Sequence, residues 1–214
     1  MKLYIYFSIL FLGLSSCSKS EFEGEIHYQT GKIVIFNKEL DEDRVMAFFG
    51  NTTVTSFKPG GFYRDESDAK KYAVQLWRAE DTAVYYLSSA TADTALRFKT
   101  NTEKRKKFLK KVEENACTIL GYECDMLEVI TDRGLKRYYY SKDLPLDPKV
   151  YAGFTNSNKD KIMELMPYAY LKIELENKDF KIDFTATKIV EKAVDSSVFE
   201  LPKGITVIDK RRWY

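Results

Sequence analysis

Residues 171–186 read LKIELENKDFKIDFTA. Leu171, Ile173 and Leu175 alternate with Lys172, Glu174 and Glu176, and Phe180, Ile182, Phe184 and Ala186 alternate with Lys181, Asp183 and Thr185. A period of two, apolar on one side and charged on the other, describes a strand with one buried face. Asn177-Lys178 between two such runs predicts a hairpin turn. The pattern recurs at Phe22, Gly24, Ile26 and Tyr28, interleaved with Glu23, Glu25, His27 and Gln29. Further hairpins are expected around Pro59-Gly60-Gly61, through residues 78–82, and across Thr131-Asp132-Arg133-Gly134 as a four-residue loop. Residues 39–49, stopped by Gly50, and residues 159–166, with Asn158 as candidate N-cap, read as short helices. A helical turn is expected to start at Asp195 and to stop at Leu201-Pro202. The fold class is therefore mainly β (α+β): a curved antiparallel sheet or half-barrel with a few short covering helices and an apolar concave face. With no repeat and no long linker, residues 22–209 form one domain, followed by a basic-aromatic tail at 210–214.

Charge and motifs exclude several functions. Lys+Arg total 34 and Asp+Glu 32, so no net field draws the chain to nucleic acid. His27 is the only histidine and falls on the polar face of its strand, which removes two-histidine mechanisms and histidine-rich metal sites. No GxSxG, HExxH, P-loop, GxGxxG or EF-hand pattern occurs. Asp41, Glu42 and Asp43 lie where a helix's first turn favours acids in any case. No enzyme activity, metal or cofactor is expected.

The N-terminus reads MKLYIYFSILFLGLSSCSKS. Lys2 precedes a largely apolar run, residues 3–14, too short to span ~30 Å of hydrocarbon and suited to a signal-peptide core. Leu14-Ser15-Ser16-Cys17 resembles the bacterial lipobox. The resemblance implies a signal peptide at 1–16, acylation of Cys17 and a short tether to residue 21. The mature chain would then be anchored to a membrane, not span it. Ser18 after the cysteine resembles the signal of outer-membrane lipoproteins, so the expected location is the bacterial cell envelope, anchored at the outer membrane.

Two cysteines remain, Cys117 and Cys124, in CTILGYEC. A hairpin turning at Gly121-Tyr122, or a bulge, could set them opposite each other. In an oxidising compartment they are expected to form a disulfide, with two buried thiols as the alternative. Lys104, Arg105, Lys106, Lys107, Lys110 and Lys111 place six cations in eight positions. They could contact anionic lipid headgroups, or could be a solvated strand edge that discourages pairing with other chains.

The order of features resembles the LolA/LolB-like superfamily of bacterial envelope proteins, particularly its lipid-anchored members of Bacteroidetes type. The residues that carry the resemblance are Phe22-Gly24-Ile26-Tyr28, Ile119-Gly121-Tyr122-Cys124 and Phe199-Leu201-Pro202-Gly204. The resemblance implies a curved antiparallel sheet closed by helices, with acyl chains or other apolar ligands held in the concavity. It carries no catalytic motif. The 15 Tyr and 14 Phe could line such a cavity or fill an ordinary core, and Phe180, Ile182 and Phe184 are the candidate lining residues. The expectation is a non-enzymatic envelope lipoprotein binding a lipid or acyl chain. The rival is a structural or interaction lipoprotein with a filled core that meets other envelope proteins.

Overall fold

The structure is a computed structural model describing residues 20–60, 62–102 and 107–210. The expected signal peptide, Cys17, Lys104, Arg105, Lys106 and residues 211–214 lie outside the described residues. Among the described residues, the strands are β1 Gly24–Thr30, β2 Val34–Ile35, β3 Thr52–Lys58, β4 Phe62–Ser67, β5 Val74–Arg78, β6 Ala83–Leu87 and β7 Thr94–Lys99. They continue as β8 Phe108–Ile119, β9 Tyr122–Thr131, β10 Gly134–Pro145, β11 Tyr168–Glu176, β12 Phe180–Glu191 and β13 Thr206–Lys210. The α-helices are α1 Glu42–Phe49 and α2 Lys159–Leu165.

All of these strands join one sheet in the order β13-β7-β6-β5-β4-β3-β1-β12-β11-β10-β9-β8, with β2 added beside β12. The sheet is open, since β13 and β8 end the path without pairing. Serial hairpins build each half, and β12 returns to sit between β11 and β1. Register breaks at His27/Tyr28, Glu113/Cys117 and Tyr139/Tyr140 are where bulges bend the strands. Gly24 permits a close approach: its φ is +153°, and a Cβ there would lie 2.2 Å from the Val190 carbonyl oxygen.

The strand alternation separates the two faces as the pattern at 171–186 requires. One face carries Arg137 between Glu128 at 2.8 Å and Glu174 at 3.4 Å, with Lys172 2.8 Å from Glu174. The other carries Tyr28, Tyr138 and Leu171. One end of this concave face is filled by the connection from β10 to β11, where Tyr151, Phe154 and Met163 pack under Trp77 and Tyr63. Ile162 and Met166 of α2 cover Leu127 and Val129. On the outside of β5–β7, Val194 and Phe199 from the C-terminal segment cover Leu76, Tyr85 and Ala95.

Several local expectations are corrected. α1 starts at Glu42, because the Asp41 side chain caps it by accepting from the Arg44 N–H at 2.8 Å. Asn158 does not cap α2: its φ is 55°, and its side chain makes no capping hydrogen bond. Thr131 and Gly134 pair with each other, so the turn is the two residues between them rather than a four-residue loop. The pair β13–β7 is parallel, an exception to the expected antiparallel sheet. The turn after Asp195 runs Ser196–Phe199 and stops before Leu201-Pro202, as its sequence indicates.

Candidate functional site

The concave face is not filled from end to end. Between α1 and the middle of the sheet lies a cavity of about 550 Å³. Tyr28, Thr55, Asp65, Gln75 and Tyr86 reach it from five successive strands of one half of the sheet. Ile173, Leu175 and Phe184 close it from β11 and β12. A chain of rings runs along its wall: Phe184 and Phe180 flank Phe49, Phe49 meets Phe48, Phe48 meets Tyr72, Tyr72 meets Tyr86, and Tyr86 meets Phe98. Neighbouring centroids lie 5.0–5.7 Å apart. α1 presents Phe48 and Phe49 consecutively because the helix stops at Gly50, whose φ of +79° takes the chain out of the helix.

Phe184 lines the cavity, as its parity suggests. Phe180 stands behind Phe49 at 5.7 Å and supports that wall. Ile182 is fully buried and does not line the cavity, a correction to its place among the lining candidates. Tyr28, Asp65, Gln75 and Tyr170 were not anticipated. The signal for Asp65 is its parity: Tyr63, Asp65 and Ser67 share one face of β4, opposite Phe57, Thr55 and Thr53.

The polar groups are concentrated on the floor. The Asp65 carboxylate accepts from Thr55 Oγ1 at 2.7 Å, and Gln75 Nε2 donates to the Tyr63 hydroxyl at 2.7 Å. Tyr28 donates to the Tyr170 carbonyl at 2.6 Å. Asp65 keeps solvent contact only through the cavity while protein surrounds it on every other side. Burial pushes its carboxyl up to about 6, against the Thr55 hydrogen bond and the more distant charge of Lys159. Burial also raises the phenols of Tyr28, Tyr63, Tyr86 and Tyr170, so they remain neutral donors.

A smaller chamber of about 220 Å³, called the inner chamber for its place beside α2, adjoins the cavity. Gln75, Tyr86, Tyr170 and Ile173 line both spaces, so the two are adjacent. Lys136 of β10 and Lys159 of α2 face the inner chamber. Burial brings the Lys159 ammonium down to about 8, helped by the charge of Lys136 and opposed by Asp65. The loop that carries Lys159 is held in an unusual path: Ser157 and Asn158 both have φ of 55°. Asn156 pins it to the far half of the sheet, donating from Nδ2 to the Lys99 carbonyl at 2.9 Å and from its backbone N–H to Thr100 at 2.9 Å.

Asp65 gives a pH test. A carboxyl whose folded pKa lies above its unfolded value stabilises the fold below pH ~4 and loses that contribution as pH rises through about 6. Asp65→Asn is therefore expected to match wild type at pH 4 and to exceed it at pH 8 by roughly 3 kcal/mol, at ~1.4 kcal/mol per pKa unit. Chemical denaturation at pH 4, 6 and 8 measures the gap; a gap that does not widen with pH counts against the assignment. Lys159, brought down to about 8, titrates at the top of this range, so the widening between pH 4 and 6 is the part that reports Asp65.

The two cysteines face each other as cross-strand partners of β8 and β9. Leu120 and Gly121, with φ of 52° and 85°, form the two-residue turn between the strands, and a bulge before Cys117 completes the register. The two sulfurs are not joined in the structure, and the pairing places them where a disulfide could form. Burial and the neighbouring Cys117 push Cys124 up to about 11, and burial raises Cys117. Slow reaction with a thiol reagent is expected in the native state, and fast reaction after unfolding. Rapid native labelling of both would contradict the geometry. Mild oxidation should join them and add roughly 2–3 kcal/mol for so short a loop.

Lys107, Lys110 and Lys111 are exposed, and β8, which carries the last two, is a terminal strand of the sheet. Lys111 lies 3.6 Å from Glu113. This is the arrangement of cations that guard an edge. Among the described residues, no three His, Cys, Asp or Glu side chains gather to hold a metal ion, and no helix is long and apolar enough to cross a membrane.

No protein-family model matches the chain, and no curated protein matches it. Among solved structures it is similar to a structure of PNGF-II in space group C2, at 17% identity and a TM-score of 0.50. The match covers 89% of this chain and 31% of that one, so the chain corresponds to less than a third of PNGF-II. At this identity the likeness speaks to the fold alone.

Proposed function

We propose that this chain is a non-enzymatic lipoprotein of the bacterial cell envelope that holds an amphiphilic ligand, a lipid or acyl chain, in the concavity of its sheet. The single observation that supports this reading is the cavity of about 550 Å³, which falls in the range of small-molecule sites and has an aromatic wall. A structural lipoprotein with a filled core has no use for such a space, because interiors pack to a density near ~0.74. The chemistry of the walls suits an amphiphile rather than a pure hydrocarbon: rings and aliphatic side chains form one part, while Thr55, Asp65, Gln75 and tyrosine hydroxyls meet at the floor. In this reading the acylated Cys17 ties the domain to the outer membrane, and the cations of the β8 edge face anionic headgroups or solvent.

Thermal unfolding of the delipidated mature chain against fatty acids, phospholipids and acylated peptides tests the proposal. A bound amphiphile at a hundredfold excess over Kd should add about 2.7 kcal/mol, which for a domain of this size is a rise of several degrees. No shift with any member of the panel would favour the structural lipoprotein.

A further inference from the structure

The inner chamber says more about the ligand than the outer cavity does. Lys136 and Lys159 both face it, from different elements, and among the described residues neither forms an ion pair. Lys159 instead lies over the rings of Tyr151 at 5.6 Å and Tyr170 at 6.0 Å. Three other cations of the same half of the sheet are paired: Arg137 with Glu128 and Glu174, Lys172 with Glu174, and Lys142 with Asp125. Two ammonium groups turned into one recess without a carboxylate repel each other, and burial removes the water that would relieve them. Arg133 adds positive charge beside Lys136, and its guanidinium lies 3.3 Å from the hydroxyl of Ser157, which also lines the chamber. Asp65, whose charge acts on Lys159, faces the outer cavity and is already bonded by Thr55. The paired φ of 55° at Ser157 and Asn158 holds Lys159 there at a cost in backbone strain, of the kind found where a side chain must be aimed.

We propose that the amphiphile bears an oxyanion head, a carboxylate or a phosphate, seated between Lys136 and Lys159, with its apolar chain running past Tyr170 and Ile173 into the outer cavity. The inference rests on the amphiphile reading above and specifies which end goes where. Gln75, Tyr86, Tyr170 and Ile173, common to both spaces, are the side chains that head and chain would both touch. An anion at this place would be held by two charge-assisted contacts.

Calorimetric titration with four probes of one chain length, each below its micelle concentration, tests the inference: dodecanoate, dodecyl phosphate, dodecanol and dodecyltrimethylammonium. The two anions are expected to bind about ten- to a hundredfold more tightly than dodecanol, and the cation no better than dodecanol. Comparison of the anions tells a carboxylate head from a phosphate head. Lys136→Met and Lys159→Met, which keep the length of the side chain, should each bring the anions toward dodecanol and leave dodecanol unchanged. Lys203→Met, on the exposed C-terminal segment, should change nothing. Equal affinity for all four probes, or preference for the cation, overturns the head-group proposal while leaving the amphiphile reading intact. Failure of every probe to bind overturns both. The probe comparison needs only the wild-type chain, so a variant that fails to fold does not remove the test.

Discussion

Trp77→Ala is expected to destabilise the chain by about 3–5 kcal/mol, the largest effect of any single truncation in the concave core. Trp77 is 0% exposed and is held by rings on both sides: Phe154 at 4.7 Å between centroids and Tyr151 stacked at 6.3 Å. It ties the β4–β6 half of the sheet to the connection that carries α2, so its loss opens a cavity where the two halves of the fold meet. Its indole N–H has no hydrogen-bond partner, and so Trp77→Phe removes volume but also relieves a buried donor. That substitution should cost far less, about 1 kcal/mol. Urea unfolding of the two variants measures the difference. Similar losses for both would mean that the ring's size is not what holds the halves together.

Ala73→Trp is expected to abolish amphiphile binding, with a loss of about a hundredfold or more, and to leave the fold in place. Ala73 lines the outer cavity just before β5 and shares the inward parity of Gln75 and Trp77. An indole there enters space that is now open rather than a packed core, so overpacking strain is small and stability should change by less than about 1 kcal/mol. Binding of dodecanoate by calorimetry, beside a thermal unfolding curve, gives both quantities. Retained affinity in a folded variant would move the ligand away from this cavity. Because Ala73→Trp acts on the space and Lys159→Met acts on the head, the two substitutions probe the cavity and its polarity separately.

Most of the fold was legible because its information is local. A strand with one wet face writes its parity into consecutive residues, and 171–186 states it twice. Gly50 after a break in alternation marks the end of α1, and Asp195 marks the turn that its side chain caps by accepting from the Ser197 N–H. β13 was missed because a parallel pairing with β7 needs no turn signal next to it, and its side chains are mostly exposed. Asn158 was misjudged for a related reason. A cap is a conformation as well as a residue type, and the loop anchored on Lys99 and Thr100 forces Asn158 into a left-handed one.

The sequence by itself determined the class of the fold and the inward faces of β1, β11 and β12. Those follow from alternation, a property of neighbours along the chain. Only the tertiary structure decided that the concave face holds a cavity and not a filled core, and that Ile182 lies outside its walls while Asp65 lies within. Tyr63, Asp65 and Ser67 differ in meaning only once β4 is seen to cross the open middle of the sheet. Lys136 and Lys159 are 23 positions apart, on a strand and a helix, and nothing near either one foretells that they face the same recess. Parity says which way a side chain points. What it meets there depends on how far the sheet curls and which distant segments fill it, and those quantities are set by contacts between residues far apart in the chain.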